Sequence, residues 1–325
     1  MPGCDIDWED GWNYMQCDMI SDNEFLSYNN VITCAGMYSS AFHNNKFYGK
    51  SWIYPKSNFY SFVNNSFIKD TEKVASSTGS VNFGSRSDVW IANNHFTGGV
   101  IGNEVNHSNA EYRIRYVKND FNGTSLNTNS RTDVYECSFT GKNGIKTETL
   151  TNCTFKDCEN LTVGGTIRNC TLENVNLYPA SGDYMKILSC NLYDTNIPST
   201  ANTVNFVLFE QCNITFDQKH SFMSTDKGLK EITVKDSTLE FKDANEKFVL
   251  FTGWDLTGSS TQALFQDNVV IKPNGFHGLL INASWMGQNT AENKFVLKLV
   301  NTNFDELEDA NKINGNFEII RNANE

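Results

Sequence analysis

One pattern recurs through the first two thirds of this 325-residue chain and leaves few folds open to it. An apolar residue is followed by two spacers, an Asn or Cys, one spacer, and a Phe, Leu or Ile. It reads Ile20, Asn23, Phe25; Phe42, Asn45, Phe47; Phe62, Asn65, Phe67; Ile91, Asn94, Phe96; Tyr116, Asn119, Phe121. Cys then takes the Asn place in Val134, Cys137, Phe139; Leu150, Cys153, Phe155; Ile167, Cys170, Leu172; Ile187, Cys190, Leu192; Phe209, Cys212, Ile214. The middle residues are spaced by 22, 20, 29, 25, 18, 16, 17, 20 and 22 residues. A helical repeat holds its length more tightly and shows a period of about 3.6. Here the segments are short and rich in Val, Ile, Thr, Phe and Tyr, and Asn, Gly, Ser and Asp break them every few residues, which are strand and turn signals.

The spacing within each copy refines this. The Asn or Cys and the last apolar residue are two apart, so they share one face of a strand. The first apolar residue is three before the Asn, which breaks the period of two and requires a corner. Each copy therefore holds two short strands meeting at a bend, and the variable remainder supplies a third strand and a loop. Coils of roughly 16–30 residues, each pairing only with its neighbours, make an all-β parallel solenoid. Residues 1–230 are expected to form regular coils that continue others preceding Met1. Residues 231–325 are expected to be less regular, with further copies at Val234, Ser237, Leu239 and near Asn301, Asn303, Phe304. The stretch from Trp254 to Trp285 reads as long insertions or a change of cross-section, and Gly315 to Glu325 as an end cap.

Stacking explains the ladder residues. Cys137, Cys153, Cys170, Cys190 and Cys212 are expected to be small, buried and stacked, since free Cys behaves as a small hydrophobe. A linear file does not give the tetrahedral shell that zinc requires, so no metal is expected on the ladder, and no motif calls for a cofactor. The Asn half of the ladder is expected to bond amide to amide up the stack. The Phe series from Phe25 to Phe155 reads as a core stack. Nine Cys in this length, with no C-x-x-C spacing, do not make a disulfide scaffold. Residues 1–15 carry acids and no basic leader segment, so the chain is expected to be made in a cytoplasm. No apolar run reaches the roughly 18 residues of a membrane span. A formal charge of −12 argues against a phosphate-binding face and so against nucleic acid as partner.

This ladder, following the acidic opening Cys4-Asp5-Ile6-Asp7-Trp8-Glu9-Asp10-Gly11-Trp12, resembles the right-handed parallel β-helices of the pectate-lyase superfold. Within that superfold it is most similar to tailspike-like proteins of phages and prophages of Gram-positive bacteria. The resemblance implies a virion tail appendage, a homotrimer, made in the host cytoplasm and acting outside the cell on a surface polysaccharide. Binding, depolymerisation and a purely structural spacer all remain open on this reading. The catalytic segments of polygalacturonases do not carry over: Arg113-Ile114-Arg115 precedes His277-Gly278, the reverse of their order, and the Lys is absent.

Three sets of residues could carry chemistry. Asp5, Asp7 and Glu9 alternate with Ile6 and Trp8 and, on a strand, share one face about 6.6 Å apart. With Asp10 they offer the paired carboxyls of glycoside hydrolysis, one protonated and one ionised, and Trp8, Trp12 and Tyr14 offer stacking faces for sugar. The alternative is an exposed acidic turn with a structural or cation-holding role, calcium being the ion that clustered carboxylates suit. In the second set, Glu111, Arg113 and Arg115 alternate outward, where the arginines could clamp a uronate carboxylate or simply form ion pairs. The third set, Trp52, Tyr54, Phe59 and Tyr60, lies between ladder copies and reads as a projecting aromatic loop, for sugar stacking or folded on itself.

Overall fold

The computed structural model describes residues 19–27, 40–49, 51–53, 59–72, 81–85, 88–105, 113–128, 132–141, 144–180, 182, 184–198, 204–225, 229–245, 247–253, 261–282, 295–304, 307–308 and 317–321. These are all strand, bend and turn, with no helix among them. The chain divides into two compact units, Met1–Glu159 and Asn160–Glu325.

In the first unit short parallel strands form three stacks. The first stack pairs Met19–Ser21, Ser40–His43, Phe59–Val63, Asp88–Ala92, Ile114–Val117, Thr132–Tyr135 and the end of Gly144–Thr151 in sequence order. The second pairs Glu24–Ser27, Lys46–Gly49, Ser66–Ile68, His95–Thr97, Asp120–Asn122, Ser138–Thr140 and Thr154–Lys156. The third pairs Ser51–Ile53, Val81–Ser85, Val100–Val105, Ser125–Asn127 and the start of Gly144–Thr151. The second unit repeats the scheme, its first stack running from Asn160–Arg168 through Tyr184–Leu188, Phe206–Glu210, Glu231–Lys235, Thr261–Gln266 and Phe295–Val300 to Phe317–Arg321. Among the described residues the paired strands run parallel and join consecutive copies of the repeat, as a parallel β-helix requires. Phe317–Arg321, within the segment expected to cap the end, pairs in parallel with Phe295–Val300.

The corner has a single backbone device. The residue before each ladder position takes a left-handed conformation, with φ between 44° and 60° at Asp22, Asn44, Asn64, Asn93, Lys118, Glu136 and Asn152 in the first unit. In the second unit the same holds at Asn169, Ser189, Gln211, Asp236, Asp267 and Asn301. Asn and Asp dominate because their short polar side chains tolerate this region best after Gly. A second corner follows the second strand, with positive φ at Gly123, Asp157, Asn174 and Asp194 just before buried Thr124, Cys158, Val175 and Thr195.

The ladder residue then turns inward. Asn45, Asn65, Asn94 and Asn119 are buried and form a hydrogen-bonded file. Asn65 Nδ2 donates to Asn94 Oδ1 at 3.1 Å and to the Phe42 carbonyl at 3.0 Å. Its Oδ1 accepts from Asn45 N at 2.9 Å and Asn45 Nδ2 at 3.0 Å. Asn94 repeats the arrangement toward Asn119. Each amide is thereby satisfied inside an apolar core, where an unmet polar group costs about 1–3 kcal/mol. At the change of residue type, Asn119 N donates to Cys137 Sγ at 3.4 Å. In the second unit Cys212 N donates to Ser237 Oγ, Ser237 N to Asn268 Oδ1, and Asn268 Nδ2 to Thr302 Oγ1. The ladder therefore passes through Asn268, inside the stretch expected to be irregular. Its last described place belongs to Thr302, one residue away from Asn301 and Asn303.

The core follows from the register. Phe25, Phe47, Phe67, Phe96, Phe121, Phe139 and Phe155 face one another across the second stack. Their ring centroids are 4.4–4.8 Å apart and their planes lie within 10°. Burying one such ring contributes up to about 3 kcal/mol, and the stacked pair about 0.5–1.5 kcal/mol more.

Candidate functional site

Outward-facing residues of the first stack lie in columns across successive strands, because parallel pairing in constant register aligns equal repeat positions. Four residues before the ladder stand Ser61, Trp90, Arg115, Asp133 and Thr149, each the cross-strand neighbour of the next. Among the described residues, this column and its flanks bring together Trp90, Arg113, Arg115, Asp133 and Thr149. Asp133 is buried, with its side chain 9% exposed. Arg113 grips it with two charge-assisted bonds, Nε to Oδ2 at 2.5 Å and Nη2 to Oδ1 at 2.6 Å. Thr149 Oγ1 donates to the same Oδ1 at 3.1 Å.

Around this pair the ionisation states separate. The hydrogen bonds to Asp133 raise Arg113 above its ordinary value, so its guanidinium stays charged. Glu148 is also raised, above a free carboxylate: burial raises it, Arg113 partly opposes this, and Asp133 adds to it. An ion-paired carboxylate and a carboxyl whose pKa is raised therefore act on one another here. Beside them Trp90 is 38% exposed and Tyr135 36% exposed. The Arg115 guanidinium lies over the Trp90 ring, 5.4 Å from its centroid. Such a stack holds a planar cation against an aromatic face.

The second unit carries a smaller aromatic surface. Tyr184 and Phe206 are cross-strand neighbours in its first stack, 46% and 45% exposed, and Lys186 Nζ lies 4.8 Å from the Tyr184 ring. A polar hub there is structural. Asp194 accepts from the backbone N–H groups of Asp217, Gln218 and Lys219, while Lys219 Nζ donates to the Val175 carbonyl, Asn176 Oδ1 and Asn196 Oδ1. Those bonds fasten the loop before Ser221–Thr225 to the corner.

The sequence-derived candidates divide. Asp5, Asp7, Glu9, Asp10, Trp8, Trp12 and Tyr14 lie outside the described residues, as do Tyr54 and Glu111. Trp52 and Tyr60 are placed by backbone pairing alone, on Ser51–Ile53 of the third stack and Phe59–Val63 of the first. They therefore sit on strands of two stacks, where a single projecting loop was expected. Arg113 and Arg115 do reach one surface. Arg113 takes the ion-pair role, however, with Asp133 of the next repeat as its partner. Trp90, Asp133, Glu148 and Thr149 were not singled out in the sequence; aligning the copies on the ladder residue would have placed three of them in one column.

The cysteines behave as core. All six described ones are free and buried. Burial pushes the Cys158 thiol up to about 11, and the thiol of Cys170 beside it pushes Cys190 up to about 12, so both stay protonated near neutral pH. Cys137 lies lower than usual: burial opposes this, but hydrogen bonds to its Sγ from Cys153 and Asn119 prevail. Among the described residues no group of three or more His, Cys, Asp or Glu stands where it could hold a metal ion. Comparison of the whole chain with protein-family models, with curated proteins and with solved structures finds no match in any of the three.

Proposed function

We propose that this chain is a right-handed parallel β-helix that binds polysaccharide at a cell surface, in the manner of a phage tail-associated spike. The observation that carries the reading is the partly exposed Trp90 with the Arg115 guanidinium over its ring, on a stack that also carries the exposed Tyr135 two strands on. A sugar ring offers C–H bonds to an aromatic face and hydroxyls to a cation, so this pairing suits a glycan. The sequence resemblance supplies the virion setting and the trimer. Retention on cell-wall polysaccharide fractions of Gram-positive hosts tests the binding. Trp90→Ala is expected to weaken it roughly 5- to 30-fold, by about 1–2 kcal/mol. If the unmodified protein is retained on no fraction, the spacer reading replaces this one.

Depolymerisation is the second reading, and what favours it is Glu148, raised chiefly by burial, in the field of the ion-paired Asp133. Glycoside hydrolysis divides its work between two carboxyls in different protonation states. New reducing ends released from a retained polysaccharide, and lost in Glu148→Gln, would place catalysis here. Release that persists in Glu148→Gln but fails in Asp7→Asn would move it to the acidic opening.

A further inference from the structure

The chain holds four Asn-Gly pairs, at 122, 143, 274 and 314, and two of them, Asn122-Gly123 and Asn274-Gly275, lie wholly among the described residues. Asn-Gly is the pair most open to intramolecular attack, because the following residue has no side chain to obstruct its own nitrogen. The two described pairs sit in opposite environments. Asn122 ends a strand paired on both sides, to His95–Thr97 and Ser138–Thr140. The attacking nitrogen there is occupied: Gly123 N donates to the Thr140 carbonyl at 2.8 Å, while the Asn122 carbonyl accepts from Gly98 N at 2.8 Å. Reaction at Asn122 requires opening the stack.

Asn274 and Gly275 are exposed, between Val269–Ile271 and Leu279–Asn282. One hydrogen bond closes their turn, from Phe276 N to the Pro273 carbonyl at 3.2 Å. Gly275 has φ 77°, and a Cβ built there would meet nothing within 4 Å. Among the described residues no backbone carbonyl accepts from the Gly275 N–H.

We propose that Asn274 is a self-modifying site that converts to aspartate and isoaspartate with water as its only co-reactant. Gly275 N attacks Asn274 Cγ and forms the N–C bond of a five-membered succinimide. The Cγ–N bond of the side-chain amide breaks and its nitrogen leaves as ammonia. Water then adds to either imide carbonyl and reopens the ring. Opening at one carbonyl gives Asp; opening at the other carries the backbone through the former side chain and lengthens it by one carbon. Water enters, ammonia leaves, and the turn gains one negative charge. The isoaspartate lengthens the chain beside Phe276, whose ring lies 5.3 Å from Phe241.

Mass spectrometry of peptides from the intact folded protein, aged at mildly alkaline pH, tests this. The Asn274 peptide is expected to gain the mass of NH exchanged for O and to split into two isomers. It should do so at least about tenfold faster than the Asn122 peptide, the ratio that about 1.4 kcal/mol of local opening produces. In water enriched in oxygen-18 the product should take up one labelled oxygen. The Asn274→Gln protein should keep its fold and leave that peptide unchanged. Equal rates at the two sites, or no conversion at Asn274 over the period in which the denatured chain converts, would overturn the proposal.

Discussion

Asn64 shows how one backbone angle serves the fold. Its φ of 57° lets the chain turn from Phe59–Val63 into Ser66–Ile68, and its side chain lies exposed at the corner, 3.2 Å from His43 Nε2. Because the conformation and not a buried contact is what the site demands, Asn64→Gly is expected to change stability by less than about 0.5 kcal/mol. Asn64→Ala forces a Cβ into the same region and is expected to cost roughly 1–2 kcal/mol. Urea unfolding of the two variants separates them, and equal stability would mean that the corner relaxes. Glu148 belongs to the same scale. Its pKa is raised in the fold from the ordinary 4.5, chiefly by burial. The folded state thus binds the proton more tightly than the unfolded one, so this residue contributes most below pH 4.5 and the contribution is lost as pH rises through the raised value. Glu148→Gln removes the dependence. Its melting temperature relative to the parent is expected to be higher near pH 7 than near pH 4, and a constant difference would contradict the assignment.

Among the elements, the second stack of the first unit is the most uniform, and its file of phenylalanines is where stability concentrates. Phe121 is 1% exposed, its ring 4.8 Å from Phe96 and 4.4 Å from Phe139. Phe121→Ala removes both stacking partners and leaves a cavity between fixed strands, so a loss of about 3–5 kcal/mol is expected by denaturant titration, against less than about 2 kcal/mol for Phe121→Leu. This element was legible from the sequence, because a period-two face with an aromatic at a constant place admits little else. The corner was legible as a parity change, but the ladder Asn does not make the bend; the residue before it does. Thr302 escaped notice because a hydroxyl can take the amide's place as acceptor, so side-chain identity stops tracking position. The Arg113–Asp133 pair was illegible for another reason. The alternation along one strand names no partner for Arg113, whereas stacking makes it a residue 20 positions on. Trp90 and Arg115 were likewise brought together by register across strands.

At the larger scale, stability within each unit is expected to be dominated by terms between neighbouring copies, with Lys219, which reaches Val175 and Asn176 two copies back, as an exception. Acidic charge adds repulsion distributed along such a chain, at a formal −12 for 325 residues. Cooperativity should then be local, and opening should begin where copies are least covered. Burial within the first unit gives this a direction. Ile20 and Phe25 are only half-buried, while Val134, Phe139, Leu150 and Phe155, at the same repeat positions further along, are buried. Backbone bonds are present at both places, for example Lys46 N to the Asn23 carbonyl and Thr154 N to the Cys137 carbonyl, each 2.9 Å. Differences in exchange should therefore report cover and neighbours, not hydrogen-bond geometry. Native-state hydrogen exchange is expected to show amides of residues 20–26 exchanging through local opening, at least about 100-fold faster than those of 134–155, which corresponds to about 2.7 kcal/mol. Adding low urea should accelerate 134–155 more steeply, since their opening exposes more surface. Uniform protection with one common urea dependence would mean that the unit opens as a single cooperative block, and the nearest-neighbour account of its stability would fail.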